Sequence, residues 1–260
     1  TFTVRQNARY GYTSVDYRQV YVRGFATVDA DNPGDPSNFR LLDRYPFGSN
    51  ENARLFTIDN QAQAKLRLGD WQHTFLAGLD YQHSRNGQAT YNDGTVGPID
   101  GYSPVHGSPV TPADPWFDGT TRLAQTGFYL QDQIKWGNWV ATLGGRYDRA
   151  SADVSSNIDG SRTKVDEHNF SGRGGLVYLH PSGLAPYFSY AESFSPTATI
   201  DPVTNNPMKP ETGRQYEVGV RYEPPGGTSR YSVAAFDLRR RNYITYTEDF
   251  LPKQTGEVQV

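Results

Sequence analysis

The sequence has no cysteine among its 260 residues. Without cysteine neither a disulfide framework nor a thiolate metal site can form, and the cellular compartment stays open on this ground. The chain also lacks any run of eighteen apolar residues, which excludes a membrane-spanning helix. The formal net charge is only -3 at pH 7, so we expect no basic surface for DNA or RNA and no nucleic-acid partner.

Motifs for catalysis and for metal binding are missing as well. The five histidines stand alone in different segments: His73, His83, His106, His168 and His180. There is no HExxH pair, and no spacing supports a nucleophile with its base. The glycine-rich stretch Gly172–Gly175 lies inside an alternating pattern, which does not match the strand–turn–helix of a phosphate loop. The sequence predicts no catalytic residue and no metal ligand, and it does not indicate an enzyme.

Long alternating segments are what the chain does contain, and the clearest spans Gln125 to Ala150. Gly137 and Asn138 supply a tight turn, because both residue types tolerate positive φ. Strand side chains alternate between two faces. We predict that one face meets lipid (Phe128, Leu130, Ile134, Trp139, Ala141, Leu143) and that the other lines an interior (Gln131, Gln133, Arg146, Asp148). Asp132 interrupts the apolar face. About ten residues, as here, are needed for a tilted strand to cross a bilayer.

The same pattern predicts ten or eleven strands. They cover 2–12, 15–23, 54–68, 71–84, 125–136, 139–150, 170–179, 184–193, 214–222 and 230–240, with a last strand at the end of the chain. Short links alternate with long ones, which include 24–52, 85–123, 151–166 and 194–212.

This alternation of link lengths indicates the fold class. Outer-membrane barrels combine short periplasmic turns with long extracellular loops. They also carry girdles of aromatic residues near the strand ends, and Trp71, Trp136 and Trp139 would form such a girdle here. We therefore predict an all-β fold, an antiparallel transmembrane β-barrel segment. Each strand should pair with its sequence neighbour, and the four longest loops should lie at one end. The alternative is a soluble β-sandwich or propeller with an aromatic core.

Six segments, taken in order, resemble the barrel of TonB-dependent siderophore receptors, especially those for ferrichrome and other hydroxamates. They are FTVRQNARYGYTSVDYRQVY (2–21), LFTIDNQAQAKLRLGDWQHTFLAGLDYQHSRN (55–86), QTGFYLQDQIKWGNWVATLGGRYD (125–148), GLAPYFSYAESFSP (183–196), KPETGRQYEVGVRYEPPG (209–226) and QTGEV (254–258). The resemblance implies a 22-stranded barrel around an N-terminal plug that carries a TonB box. Residues 1–260 would then be the middle of the barrel domain, without the plug and the C-terminal strands.

The resemblance also implies a function and a location. The chain would belong to an outer-membrane receptor of a Gram-negative bacterium that takes up ferric siderophores, with energy from the TonB complex acting through the plug. No cofactor is expected, because iron would stay inside its chelate. Two other functions remain open: a passive, porin-like diffusion barrel and an outer-membrane barrel enzyme. The basic run Arg239–Arg241 is either a solvated strand end or a contact with lipopolysaccharide phosphates.

Candidate ligand-binding residues follow from the resemblance too. Tyr21, at the end of DYRQVY, matches a siderophore-binding tyrosine of the family. Phe117 and Tyr91 fall near two further binding aromatics. Arg23 stands where a ferrichrome receptor has another tyrosine, which argues against ferrichrome itself. Amphipathic rings suit a compact, weakly charged hydroxamate chelate, whereas an anionic catecholate would favour clustered Arg or Lys.

Overall fold

The computed structural model describes residues 1–201, 203–204, 206–247 and 251–260. The strands, in chain order, are β1 (Phe2–Phe25), β2 (Leu41–Leu68), β3 (Trp71–Tyr91), β4 (Gly94–Val96), β5 (Ile99–Asp100), β6 (Val110–Pro112), β7 (Phe117–Trp136), β8 (Trp139–Ser156), β9 (Arg162–Tyr178), β10 (Leu184–Ser195), β11 (Glu211–Tyr222), β12 (Tyr231–Arg241), β13 (Ile244–Tyr246), β14 (Pro252–Gln254) and β15 (Glu257–Gln259). One short 3-10 turn spans Pro36–Phe39. Within the described ranges, no helix is long and apolar enough to cross a membrane.

The long strands form one open sheet in the order β1-β2-β3-β7-β8-β9-β10-β11-β12-β15. Every neighbouring pair is antiparallel. The four longest links, 26–40, 92–116, 196–210 and 242–256, therefore lie at one end of the sheet. Gly69 and Gly137, with φ of 62° and 54°, form the turns at the other end. The predicted meander and its loop polarity are confirmed.

The predicted strand boundaries were wrong, because the strands are longer than the sequence pattern suggested. β1 continues without a break through residues 13 and 14, where we predicted two strands. β2 begins at Leu41, inside the predicted loop 24–52, and β3 and β7 extend far into the predicted loop 85–123. The predicted loop 151–166 shrinks to 157–161.

The reason is a change of surroundings along each strand. On β2 the outward side chains include Leu66, Ile58 and Phe56, and these are followed by Arg54, Asn52 and Asn50. A bilayer needs only about ten residues of tilted strand, whereas β1 has 24 residues and β2 has 28. Beyond the apolar layer the outward face meets water, so alternation of polarity ends while backbone pairing continues. The alternation of polarity in the sequence therefore predicts the length of the apolar layer and not the full length of the strand.

The two faces of the sheet are those predicted for the central hairpin. Facing residues in the continuous ladder from β1 to β9 share a side of the sheet, so the register assigns every side chain to a face. Phe128 and Leu143 are 55% and 59% exposed on the apolar, outward face, whereas Asp148 on the opposite face is 2% exposed. At the short-turn end, Trp71 stacks on Trp136 at 5.3 Å and Trp139 packs on Tyr178 at 4.8 Å. These rings form one aromatic girdle.

Glycines on the inward face let long side chains lie across a strand. Arg146 on β8 crosses Gly127 on β7, where a Cβ would overlap its guanidinium. It thereby reaches Asp80 on β3 (Nη2–Oδ1 2.9 Å) while also pairing with Asp148 (Nε–Oδ2 2.8 Å). Tyr129 crosses Gly78 in the same way, and its hydroxyl donates to Asp59 on β2 at 2.7 Å. Side chains that bridge two strands in this way tie β2, β3, β7 and β8 together across the interior wall.

Asp132, the polar residue on the apolar face, has a partner in His73 on β3. Nδ1 of His73 lies 2.7 Å from Oδ2 of Asp132, and each side chain is only 17% exposed. The His73 ring stacks on Phe75 at 5.4 Å. Oδ1 of Asp132 is buried and has no hydrogen-bond partner in the described part of the chain. The pair therefore shields two polar groups from the lipid layer, which neither could enter alone at low cost.

We expect His73→Leu and Asp132→Leu each to lower the free energy of unfolding, by about 1–3 kcal/mol, since each leaves an unpaired polar group at the lipid face. The double variant should lose much less than the sum, because it restores an apolar face. The measurement is urea unfolding of the full-length receptor in lipid vesicles. Thr126→Leu is the control, because Thr126 is an outward polar residue with no such partner in the described part of the chain. Additive effects of the two substitutions would contradict the pairing.

Candidate functional site

A cluster of aromatic rings lies on the inward face at the long-loop end of β1 and β2. Tyr21 stacks on Tyr45 with ring centroids 5.8 Å apart and meets Phe47 edge-on, also at 5.8 Å. Tyr17 meets Phe47 at 5.9 Å, and the hydroxyls of Tyr17 and Tyr21 lie 3.0 Å apart. That hydrogen bond raises the pKa of Tyr21 above its ordinary value. We call Tyr17, Tyr21, Tyr45 and Phe47 the rim cluster.

The hydrogen-bond register explains why these rings meet. Tyr21 faces Tyr45 directly, Gln19 faces Phe47, and Tyr17 faces Ser49. Rings at directly opposite and diagonal positions of an antiparallel pair are close enough to touch. The guanidinium of Arg23, at the register shift between Val22 and Gly24, lies 5.1 Å from the Tyr45 ring centroid. The rim cluster is thus a set of amphipathic rings with hydroxyls, edged by one cation.

Phe117 lies on the same face as the rim cluster but does not touch it. The register runs Tyr17–Ser49–Thr90–Phe117 across four strands. Three strand spacings separate Phe117 from Tyr17, roughly 14 Å. Between them Ser49 and Thr90, 6% and 4% exposed, share a hydrogen bond of 3.2 Å. Tyr17 is closer to Phe117 than the predicted Tyr21 is, because Tyr21 lies four residues, roughly 13 Å, further along β1.

Tyr91 lies on the opposite face of the sheet. It faces Gly48, which in turn faces Arg18 on β1, and all three positions belong to the outward side. A Cβ on Gly48 would overlap the Tyr91 hydroxyl, so the ring lies across the glycine. The structure therefore brings Tyr21 and Phe117 to one face and separates Tyr91 from both.

Sequence reasoning missed Tyr45, Phe47 and the contribution of Tyr17. Tyr45 and Phe47 fell inside the stretch predicted as a loop, so they had no face assigned. Tyr17 was placed on a strand but not singled out. Its even spacing from Tyr21 would have indicated a shared face.

Ion pairs fasten the long link 92–116 to the rim. Arg23 pairs with Asp93 at 3.1 Å, and Arg40 pairs with Asp100 at 2.6 Å. Asp100 also accepts the amides of Tyr102 and Ser103, at 2.9 and 3.0 Å. The hydrogen bond from Arg40 and that from the Tyr102 amide hold the pKa of Asp100 below its ordinary value, and for Asp93 the Gly94 amide and Arg23 do the same. β5 adds backbone pairing with the start of β2.

Among the described residues there is no group of three or more His, Cys, Asp or Glu that could hold a metal ion.

A family model described as "TonB dependent receptor-like, beta-barrel" matches residues 1–260. The chain belongs to the TonB-dependent receptor family. It is therefore part of a β-barrel of the Gram-negative outer membrane, and the sheet is open because the chain holds only part of that barrel.

Two relatives of known name are similar to this chain over nearly its whole length. The chain is 38% identical to the ferrioxamine B receptor of Salmonella typhimurium over 259 residues, which is 99% of this chain and 35% of that protein. It is 33% identical to the ferrichrome outer membrane transporter/phage receptor of Escherichia coli K12 over 277 residues, 100% of this chain and 37% of that protein. The chain thus spans about a third of the length of these relatives. Both are named as receptors, and the second also as a transporter.

A solved structure agrees on the fold. The ferripyoverdine receptor of the outer membrane of Pseudomonas aeruginosa superposes with a TM-score of 0.77 at 15% identity, over 99% of this chain and 35% of that one. At this identity the likeness concerns the barrel wall alone.

We expect the attachment of link 92–116 to depend on Asp100. Asp100→Asn removes the ion pair with Arg40 but keeps an acceptor for the two amides, whereas Asp100→Ala removes both. Deuterium uptake at 99–103 in the full-length receptor should rise in the order wild type, Asn, Ala. Since the pKa of Asp100 is lowered, its contribution is complete above the ordinary pKa and is lost only as pH falls through the lowered value. Uptake corrected for intrinsic exchange should therefore be unchanged between pH 7 and pH 5, and a large rise at pH 5 would contradict this.

Proposed function

We propose that the whole protein is an outer-membrane receptor for ferric siderophores of the hydroxamate type, energised through the TonB complex. The relatives' names, ferrioxamine and ferrichrome receptors, support the hydroxamate class. The plug through which TonB acts would be contributed by residues outside this chain, and so would the remaining strands. Iron would remain inside its chelate, so the protein needs neither a cofactor nor a metal ligand, and it catalyses no reaction.

The observation that carries the proposal is the rim cluster. Four aromatic rings face the interior at the end where the long loops lie, which is the extracellular end of such a barrel. A hydroxamate chelate is compact and weakly charged, and amphipathic rings with hydroxyl groups bind such a surface well. The one cation at the cluster, Arg23, is paired with Asp93. An anionic catecholate would instead favour several free Arg or Lys side chains.

Tyr21 and Phe117 are the proposed ligand contacts, with Tyr17 between them in the register. Their shared inward face supports the proposal. Tyr91 gains no such support, since its outward position points it away from the interior.

Tyr21→Ala and Phe117→Ala should each weaken siderophore binding by roughly ten- to a hundredfold, the loss expected when one ring leaves a mixed aromatic and polar pocket. The measurement is the affinity of the full-length receptor for a ferric hydroxamate, together with uptake. Tyr91→Ala is the matched control, because it removes the same kind of ring from the other face. Unchanged affinity in both test variants at normal expression would remove this site from the proposal and leave the family intact.

Lipopolysaccharide is the second proposed partner, and the structure favours a different contact from the run Arg239–Arg241. Arg240 faces inward and pairs with Glu211. Arg239 and Arg241 pair with Asp237 at 3.4 Å and Glu257 at 2.8 Å. These three charges are already neutralised within the chain, so they offer little to an external phosphate.

The better candidate is an outward row of three arginines above the apolar layer. Arg54 faces Arg85, and Arg85 faces Arg122. None of the three forms an ion pair within the described part of the chain; Asp153, which faces Arg122, pairs with Arg162. Like charges directly opposite each other on neighbouring strands destabilise a sheet. Bound phosphate groups at this height would remove that repulsion.

Arg54→Gln combined with Arg85→Gln should weaken lipopolysaccharide binding by roughly thirtyfold and so reduce the amount that copurifies with the full-length receptor, since each cation near an anionic surface contributes about 1 kcal/mol. Arg239→Gln combined with Arg241→Gln is the control with equal charge loss. The quantity measured is lipid A per receptor. Equal losses from the two double variants would show that total charge decides binding, and would contradict the row as a site.

A further inference from the structure

A cavity lies beside β1 and β2, where the outward residues Arg18, Val20 and Tyr91 meet the β4–β6 hairpin. Its volume is about 540 Å³. Val110 and Pro112 of β6 line one side of it. The residues that line it from the sheet are Arg18, Gln19, Val20, Pro46, Phe47, Asn50 and Tyr91. The cavity shares Phe47 with the rim cluster, but it contains neither Tyr21 nor Phe117 and no residue of the arginine row.

The floor of the cavity is shaped by Gly48. Because Gly48 has no side chain, the Tyr91 ring lies across β2 toward Arg18. Pro46, one inward–outward repeat further along β2, is fully buried. The surface of β2 is therefore recessed at Gly48, and the Tyr91 ring lies in this recess.

The roof is a two-stranded hairpin held in place by an arginine. β4 pairs with β6, from Gly94–Pro112 to Val96–Val110. Nε of Arg44, an outward side chain of β2, donates to the carbonyl of Gly97 at 2.9 Å, and its Nη2 lies 3.4 Å from the Ser108 hydroxyl. The ion pair of Asp93 with Arg23 holds the start of the hairpin. The cavity is therefore formed before any ligand arrives, which lowers the cost of binding.

The height of the cavity limits what can reach it. Gly48 lies eight residues beyond Phe56, where the continuous apolar layer of the outward face of β2 ends. Eight residues cover roughly 27 Å of strand, or about 20 Å above the apolar layer for a strand tilted by about 40°. Acyl chains and lipid phosphates lie below that level, and the interior of the barrel lies on the other side of the sheet. The layer beside an outer-membrane wall at this height consists of the saccharides of the outer-leaflet glycolipid.

We propose that the cavity binds a saccharide. Tyr91 offers an amphipathic ring, and Val20 offers apolar surface for the C–H face of a sugar. Asn50 provides an amide donor and acceptor for hydroxyl groups. The Arg18 guanidinium is held by Asp16 through bonds of 2.9 and 3.0 Å, so it presents a neutralised polar edge and does not select for an anion. The lining thus fits a neutral sugar better than a phosphate, and the site is independent of the arginine row.

The test uses the full-length receptor in a detergent without a sugar headgroup. The probes are the delipidated, dephosphorylated core oligosaccharide of lipopolysaccharide and an unrelated soluble oligosaccharide, maltohexaose. Binding is followed by titration calorimetry and by saturation-transfer NMR. Dephosphorylation removes any contribution from Arg54, Arg85 and Arg122, and no siderophore is present.

Tyr91→Ala should weaken core oligosaccharide binding at least tenfold, whereas Tyr91→Phe, which keeps the ring, should retain most of it. Asn50→Ala, at an exposed position, should also weaken binding and guards against misfolding of the tyrosine variant. Tyr21→Ala should have no effect. Binding of the core alone assigns the glycolipid as the source, and binding of both probes assigns a general saccharide site. Absence of binding to either, or binding that survives both Tyr91→Ala and Asn50→Ala, would overturn the proposal.

Discussion

The whole structure depends on the need to satisfy backbone hydrogen bonds where no water can do so. In hydrocarbon each unpaired N–H or C=O costs several kcal/mol, so strands must pair with neighbours along their full length. The sheet meets this need with long antiparallel ladders: β1 pairs with β2 from Phe2 to Val22 before the register shifts, and β7 pairs with β8 down to the turn at Gly137–Asn138. This pairing gives the sheet an inward and an outward face. The residues on each face then form the functional surfaces.

The polar side chains of the inward face are paired by contacts between strands. Asp59 and Asp80 face each other directly, which would repel, but Tyr129 and Arg146 reach them across Gly78 and Gly127. Glycines in a strand therefore leave room for side chains of the adjacent strand to lie across it. The rim cluster continues the same face above the membrane, where aromatic rings replace ion pairs. The interior wall thus changes from charged to aromatic at the level where a ligand would arrive.

The outward face changes in three steps with height. Apolar side chains such as Phe128 and Leu143 come first, then the arginine row, then the cavity at Tyr91. The first step suits hydrocarbon, and the second and third are where we propose contacts with phosphate and saccharide. His73 and Asp132 are polar residues within the apolar layer, and each needs the other as a partner there.

The sequence by itself determined the β class, the meander, the apolar and polar faces of the central hairpin and the family. These depend on local signals: alternation with period two, glycine turns, and the contrast of short with long links. For the site it indicated Tyr21 and Phe117, and the structure places both on the inward face.

Only the tertiary structure decided how far each strand continues and which residues face one another. Outside the membrane the polarity of the outward face no longer reports strand geometry, so Tyr45 and Phe47 were hidden in a predicted loop. Face assignment at Tyr91 depends on counting residues along an unbroken ladder, and a shift of one residue would reverse it. The row Arg54–Arg85–Arg122 exists only in the register of three strands. Register is a property of pairing between distant segments, and no local pattern contains it.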